Sequence, residues 1–178
     1  MEQFLKSKIG NITVSAMFTA IIAVFSQFSV MTPLGVPVTF QIFAVALCGY
    51  LLELKSSVLV VVVYIIIGAV GLPVFSGFGG GLNVILGLTG GYIIGFIFLA
   101  AFCSLSVKQK NMYLKSVVSI AGVLICHFFG VCWLLSVSGN KLSLPLILTE
   151  VFFVVKDIIL LRLAYLTYKT VKKVLIRR

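Results

Sequence analysis

The sequence predicts an all-α membrane protein, a bundle of six transmembrane helices with the N and C termini in the cytoplasm. Of the 178 residues, 61% are hydrophobic and 10% are charged, whereas soluble domains are typically about 45–50% apolar and about 25% charged. No Asp, Glu, Lys or Arg occurs in residues 9–52 or 56–107. Because a helix crosses the hydrocarbon core in about 20 apolar residues, the chain has room for six spans and no large extramembrane domain. We therefore expect residues 1–178 to form a single integral-membrane domain without a nucleotide-hydrolysing module.

The predicted spans are continuous apolar runs, which favour helices over the alternating pattern of a β-barrel strand. They cover residues 11–30, 39–52, 56–70, 83–105, 112–137 and 144–168. The second and third spans are short, so we expect tilted or partly buried helices there, joined by a tight turn at Glu53-Leu54-Lys55. The first span is long enough to stay in the membrane, and no cleaved signal peptide is expected.

The basic residues predict the orientation, because cytoplasmic loops are enriched in Lys and Arg. With the N terminus inside, the inside segments hold Lys6, Lys8, Lys55, Lys108, Lys110, Lys115, Lys169, Lys172, Lys173, Arg177 and Arg178. The outside loops hold only Lys141, and Lys156 and Arg162 lie within span six. Since these bases flank apolar runs instead of covering one soluble surface, the net charge of +10 does not indicate a nucleic-acid-binding protein.

Small residues recur along one face of span one. Ala16, Ala20 and Ala23 are separated by four and three residues and therefore share a helical face. Small side chains let helix backbones approach closely in lipid. This face either packs within the bundle or docks another membrane protein, and the spacing leaves both possibilities open.

Two glycine-rich segments follow span three, GLPVFSGFGGG from Gly71 and GLTGGYIIGF from Gly87. The orientation places the loop between spans three and four outside, where glycines allow tight folding over a ligand and Phe75 and Phe78 could supply apolar lid contacts. Neither segment is a Walker A loop, because no Gly-Lys-Ser/Thr follows. Neither has the spacing of a dinucleotide-binding fingerprint.

Together these segments resemble the signature of the BioY family, the biotin-binding S components of energy-coupling factor (ECF) vitamin transporters. The stretch VPVTFQ from Val36 and the Ala16-x-x-x-Ala20 pattern are also similar to that family. The resemblance implies a non-enzymatic subunit in a bacterial cell membrane, with biotin as the transported ligand and no cofactor. It further implies a transmembrane coupling (T) subunit, which the alanine face would contact, and two cytoplasmic ATPases.

The chain departs from the family pattern at two places. The second glycine motif has Leu88 where the family usually has proline before Thr-Gly-Gly. Near the end, the family tends to show Pro-Gly-Asp-x-x-Lys, whereas here Lys156 precedes Asp157. The group that binds the biotin carboxylate is therefore left open between Lys156, Arg162 and the loops.

Span six carries the charges that lie deepest in the predicted bundle. Intramembrane charges usually face the interior and mark a site, although Lys156 and Asp157 could also form a structural pair that joins helices. Because they are adjacent on a helix, the two side chains point in different directions and need not pair with each other. Glu150 lies nearer the outer end and is predicted to be interfacial.

Biotin has a ureido ring that needs an acceptor for two N–H groups and a donor for its carbonyl, with apolar walls around the second ring. An ionised Asp157 suits the N–H groups, since a carboxylate only accepts, and Lys156 can donate to the ureido oxygen or the carboxylate. The remaining candidate substrate-binding residues are Gln41, Asn83, Thr39, Thr89, Tyr92 and Phe75.

His127 is predicted to be a satisfied helix–helix contact, because no second histidine or nearby acid completes a metal site or a proton relay in the sequence. Cys48, Cys103, Cys126 and Cys132 show no CxxC pair and are predicted to be packing residues. No metal site or catalytic triad is expected. The alternatives kept open are an S component for another vitamin and a stand-alone secondary transporter.

Overall fold

The structure, a computed structural model, describes residues 8–32, 35–139 and 143–176. Seven α-helices make up most of these residues. They are α1 Lys8–Gln27, α2 Gln41–Leu51, α3 Leu54–Ala69, α4 Leu82–Leu86, α5 Gly90–Val107, α6 Met112–Ser138 and α7 Leu144–Ile176. An antiparallel hairpin of β1 (Ser29–Met31) and β2 (Pro37–Thr39) connects α1 to α2. The predicted all-α architecture is therefore confirmed in its main feature, a mostly helical chain.

Three of the described helices are long and apolar enough to cross a membrane, at Ile9–Gln27, Gly90–Val107 and Met112–Ser138. Only 22% of the first segment and 39% of the third are buried inside the bundle, so most residues of α1 and α6 are at least partly exposed. Such surfaces are stable in lipid, because lipid tails are as apolar as leucine.

Four residues used to assign the orientation, Lys6, Lys141, Arg177 and Arg178, lie outside the described residues.

Helix α2 is a short, buried element. It has 11 residues, most of them buried, and a rise of 1.5 Å per residue gives it a length of about 16 Å. The hydrocarbon core is about 30 Å thick, so α2 cannot cross it alone and instead packs against α5 and α7. The expectation that span two is partly buried agrees with this packing.

The centre of the bundle is α5, which packs against α2, α3 and α6. Gly91 and Gly95 lie one turn apart on the face of α5 that meets α6. A Cβ atom added at Gly95 would lie 2.9 Å from Cα of Cys126, and one at Gly91 would collide with the backbone at Phe129. The glycines therefore permit the close approach of α5 and α6, as small residues do in membrane bundles.

The predicted span boundaries are corrected at three points. Span one was expected to reach residue 30, but α1 ends at Gln27 and β1 follows. Span two was expected to begin at residue 39, which instead ends β2. The span expected over residues 83–105 is divided into α4 and α5 at Gly87, whose extended backbone is fixed by a 2.9 Å hydrogen bond from the Trp133 indole to its carbonyl oxygen. Apolar composition does not distinguish a short strand or a break from a continuous helix.

The first glycine-rich segment folds against the ends of α1 and α3. Phe75 is 1% exposed and packs edge-to-face on Tyr64 with 5.4 Å between ring centroids. The side chain of Gln27 accepts from the Phe78 amide at 2.8 Å and donates to the Phe75 carbonyl at 3.1 Å. Ser26 donates to the Val74 carbonyl at 2.6 Å. The loop is therefore held closely on the bundle.

Candidate functional site

A cavity of about 300 Å³ lies beneath the hairpin and the first glycine-rich segment. Its volume falls at the small end of the range for small-molecule sites, about 300–1,000 Å³. Apolar side chains from the hairpin, the glycine-rich segments and helices α2, α4, α5 and α7 form its walls. They include Val36, Ile42, Phe75, Val84, Leu88, Ile93, Phe96 and Phe153. The two glycine motifs and the VPVTFQ stretch, which are distant in sequence, thus meet at one cavity.

Lys156 and Asp157 lie together on the α7 wall of this cavity. Lys156 Nζ is 2.6 Å from Asp157 Oδ1 and donates a 2.8 Å hydrogen bond to the Thr39 carbonyl. The expectation that these side chains need not pair is corrected: the long lysine side chain folds back toward its neighbour and forms an ion pair. The contact lacks hydrogen-bond geometry, however, so Asp157 Oδ1 is buried without a hydrogen-bond partner.

His127 connects these residues to Glu150. Its Nε2 lies 3.0 Å from Asp157 Oδ2, and its Nδ1 lies 3.0 Å from Glu150 Oε2. The Tyr92 hydroxyl donates to the other carboxylate oxygen of Glu150. The helix–helix contact predicted for His127 is present, but the expectation that it lacks a nearby acid is wrong, because α7 brings two carboxylates to its ring. Glu150 is likewise not simply interfacial, since its side chain is 14% exposed and paired.

This cluster does not form a metal site. The two carboxylates contact opposite nitrogens of the imidazole, so they do not converge with it on one point. Within residues 8–32, 35–139 and 143–176, no group of three or more His, Cys, Asp or Glu side chains is arranged to hold a metal ion.

Gln41 also lines the cavity, at the first turn of α2. Gln41 is 4% exposed, and its Nε2 donates a 2.7 Å hydrogen bond to the Tyr64 hydroxyl. Tyr64 in turn donates to the Val74 carbonyl at 3.0 Å. This chain of hydrogen bonds fixes the orientation of the amide and connects the cavity to the glycine-rich loop.

Seven of the eight candidate substrate-binding residues from the sequence line the cavity. They are Thr39, Gln41, Phe75, Thr89, Tyr92, Lys156 and Asp157. The eighth, Asn83, is exposed and does not line it; its Oδ1 lies close to the backbone of Gly81. Asn83 and Val84 are neighbours on the short helix α4, and of these two only Val84 lines the cavity. Phe78 is also outside the cavity and 72% exposed.

Arg162 is placed away from the cavity, although the sequence left it as a candidate for binding a carboxylate. It is exposed and lines a smaller depression between α6 and α7 with Lys115 and Tyr165, and its guanidinium lies 5.9 Å from the Tyr165 ring centroid. Of the two cations in question, Lys156 is therefore the one at the cavity wall.

The alanine face of α1 is divided by the structure. Ala16 and Ala20 are exposed, while Ala23 is half-buried and packs against the core. Internal packing therefore accounts for Ala23, and the other two alanines remain on the outer surface of the described bundle.

Sequence reasoning missed the functional setting of His127, Glu150 and Tyr64. One signal was available: Glu150 and Asp157 are seven residues apart, two helical turns, and so share one face of α7. A buried histidine opposite that face would be flanked by both acids. Tyr64 had no such signal, because its contact with Gln41 depends on how α2 and α3 pack.

Comparison with known proteins agrees with the geometry. A model of the BioY family matches residues 1–177. The chain belongs to the BioY family. The resemblance drawn from the glycine motifs is thereby confirmed, and the several apolar helices are those of a multi-pass membrane protein.

Two curated BioY relatives cover most of the chain. The "Biotin transporter BioY" of Thermotoga maritima is 37% identical over 166 residues, 92% of this chain and 96% of the relative. The "Probable biotin transporter BioY" of Pyrococcus horikoshii is 40% identical over 153 residues, 85% of this chain and 90% of the relative. A crystal structure of the S-component for biotin from an ECF-type ABC transporter matches with a TM-score of 0.83 and 25% identity. The match covers 93% of this chain and 92% of that one, so BioY similarity extends through the whole bundle.

Proposed function

We propose that this chain is the biotin-binding, substrate-capture subunit of an ECF-type ABC vitamin uptake transporter, a transport protein and not an enzyme. Biotin enters the cavity from outside, and delivery inward requires a membrane coupling subunit and two cytoplasmic ATPases. The observation that carries the proposal is the Asp157 carboxylate on the wall of an apolar cavity: its buried Oδ1 is ion-paired with Lys156 but accepts no hydrogen bond. A ligand with N–H donors satisfies this atom, and leaving such an atom unsatisfied is costly.

The proposed site consists of the seven cavity-lining residues named above. Asp157 accepts from the ureido N–H groups, while Gln41 and Tyr92 supply further hydrogen bonds at the walls. An ammonium group has three donors, and Lys156 directs one to the Thr39 carbonyl and its charge to Asp157 Oδ1. Lys156 therefore retains a donor for the biotin carboxylate or the ureido oxygen, and Phe75 and the other apolar side chains surround the second ring. Asn83 and Arg162 are omitted, because neither lines the cavity.

We propose that the chain forms one domain that crosses the cell membrane of a bacterium six times, with both termini in the cytoplasm. The distribution of basic residues supports this orientation. It places the hairpin and the glycine-rich loop outside, where both cover the cavity, so that ligand reaches the site from that side. The exposed Ala16 and Ala20 form the face that docks the coupling subunit.

Calorimetric titration of the purified protein in detergent with a vitamin panel tests the proposal. We expect biotin to bind most tightly among biotin, thiamine, riboflavin and lipoate. No binding at micromolar biotin would refute it, and tighter binding of another vitamin would identify the S component for that vitamin. Biotin uptake into vesicles by the chain alone, without ATPases, would instead support a stand-alone secondary transporter.

A comparison of biotin with biotin methyl ester identifies the group that binds the carboxylate. Lys156→Gln is expected to remove any preference for the acid over the ester. Arg162→Gln is the matched control, because it removes a positive charge from the same helix outside the cavity. If Arg162→Gln abolished the preference and Lys156→Gln did not, the assignment of Lys156 would be wrong.

A further inference from the structure

His127 lies between two carboxylates that approach opposite sides of its ring. Both contacts, Nδ1 to Glu150 Oε2 and Nε2 to Asp157 Oδ2, measure 3.0 Å. The His127 and Asp157 side chains are 8% and 4% exposed, so water can do little to replace either partner. The arrangement is therefore a buried acid–imidazole–acid chain whose far end lies at the ligand cavity.

The hydrogen-bond chemistry fixes how many protons this chain holds. A neutral imidazole has one N–H donor and one acceptor nitrogen, whereas an ionised carboxylate only accepts. A neutral His127 could donate to Asp157 or to Glu150 but would present a lone pair to the other carboxylate. Two such contacts at hydrogen-bond distance require an additional proton, and an imidazolium with two N–H groups satisfies both.

Charge balance points the same way. With an imidazolium, the positive charges of His127 and Lys156 equal the negative charges of Asp157 and Glu150. With a neutral imidazole and both carboxylates ionised, the cluster carries one uncompensated negative charge in the interior of a membrane bundle, which is costly.

We propose that His127 is a positioning residue for ligand binding: as an imidazolium held by Glu150, it binds Asp157 Oδ2 and so orients Oδ1 at the cavity. Oδ1 is ion-paired with Lys156 and accepts no hydrogen bond, so it remains able to accept from the ligand. The inference rests on the proposed function, because it deepens the role of Asp157 in binding biotin. Glu150 acts through His127 and does not itself line the cavity. Loss of the extra proton leaves one of the two carboxylates facing a lone pair of the imidazole and leaves the cluster with a net charge.

The groups around the imidazole come from three helices. The titratable or charged side chains that face it or adjoin it are Tyr92 on α5, Cys126 on α6, and Glu150, Lys156 and Asp157 on α7. Tyr92 donates to Glu150 and therefore helps to hold that carboxylate in place.

The protonation state can be measured directly, because His127 is the single histidine in the sequence. After removal of any purification tag, protein labelled with ¹⁵N only at histidine gives imidazole signals that need no assignment. We expect both ring nitrogens to be protonated at neutral pH in biotin-free protein. A spectrum of a neutral tautomer, with one unprotonated nitrogen, would overturn the proposal whether or not biotin binds.

The functional consequence is tested by biotin affinity from about pH 6 to about pH 9, a range that spans histidine titration and in which the ligand carboxylate stays ionised. Wild-type affinity is expected to fall roughly tenfold or more as the imidazolium is lost, since one pH unit of linked titration corresponds to a factor of ten. In Glu150→Gln, a neutral His127 can donate to Asp157 while it accepts from the new amide. This variant therefore needs no additional proton and is expected to lose the pH dependence.

Glu53→Gln is the matched control, because it removes an exposed acid and should keep the wild-type profile. A Glu150→Gln profile as steep as that of the wild type, or a wild-type affinity that does not change with pH, would overturn the inference.

His127→Gln should bind biotin roughly tenfold or more weakly than the wild type, and adding Glu150→Gln should restore part of that loss by rebalancing the charge of the cluster. Absence of biotin binding at every pH would instead count against the proposed function, while the NMR result would still decide the state of His127.

Discussion

Replacing Gly68 by alanine is expected to destabilise the protein, although alanine is the better helix former. Gly68 is the penultimate residue of α3 and lies against the ring of Phe75. A Cβ atom at this position would lie within 2.6 Å of three ring carbon atoms of Phe75. Phe75 is 1% exposed and lines the cavity, so its ring can make room only by giving up its packing on Tyr64 or by moving into the cavity.

The expected magnitude follows from two opposing terms. Glycine to alanine within a helix stabilises by up to about 1 kcal/mol, whereas overpacking a tight core costs about 1–3 kcal/mol. The net effect is a loss of about 1–2 kcal/mol in the free energy of unfolding. For a chain of 150–250 residues, that loss lowers Tm by roughly 2–8 °C. Biotin affinity should fall as well, because Phe75 lines the cavity.

Thermal unfolding in detergent can be followed with a thiol-reactive dye, because Cys48, Cys103 and Cys126 are buried free thiols that become accessible on unfolding. The matched background is Phe75→Ala, which removes the ring. In that background Gly68→Ala should be neutral or stabilising by less than about 1 kcal/mol. Equal stability of Gly68→Ala and the wild type, or the same loss in both backgrounds, would refute the reasoning.

Three further predictions concern the site, the docking face and the bundle. Asp157→Asn should weaken biotin binding by roughly 10–100-fold, because a hydrogen bond to a charged acceptor contributes about 1.5–3 kcal/mol. Calorimetry should show no such loss for Asn83→Ala. Equal losses in the two variants would contradict the assignment of Asp157 to the cavity. Replacing both Ala16 and Ala20 by leucine should reduce co-purification of the protein with the coupling subunit and leave its affinity for biotin unchanged. If the coupling subunit still co-purified with this variant, the docking face would lie elsewhere. Gly95→Leu should prevent the approach of α5 to α6 and lower Tm, and an unchanged melting curve would show that the helices can separate without cost.

Local sequence was sufficient for the class of protein and for seven candidate residues that line the cavity. Long uncharged runs predict membrane helices because an unpaired charge is costly in lipid, and this depends on composition alone. The two glycine motifs were sufficient to indicate the family. Thr39, Gln41, Tyr92 and Asp157 were predicted because polar side chains in apolar runs are rare and have few purely structural explanations.

Tertiary structure decided which polar groups meet. Hydropathy could not show that the chain breaks at Gly87, because the carbonyl of Gly87 is bound by Trp133 from another helix. It also could not show that Val84 lines the cavity and Asn83 does not. The partners of His127 likewise come from α7, 23 and 30 residues away in sequence. The sequence by itself determined that this is an apolar bundle with a few interior charges, since transfer into lipid depends on each segment separately. Only the packing of helices determined the Glu150–His127–Asp157 chain, because a hydrogen bond requires two atoms to meet at about 3 Å, and that distance depends on the whole fold.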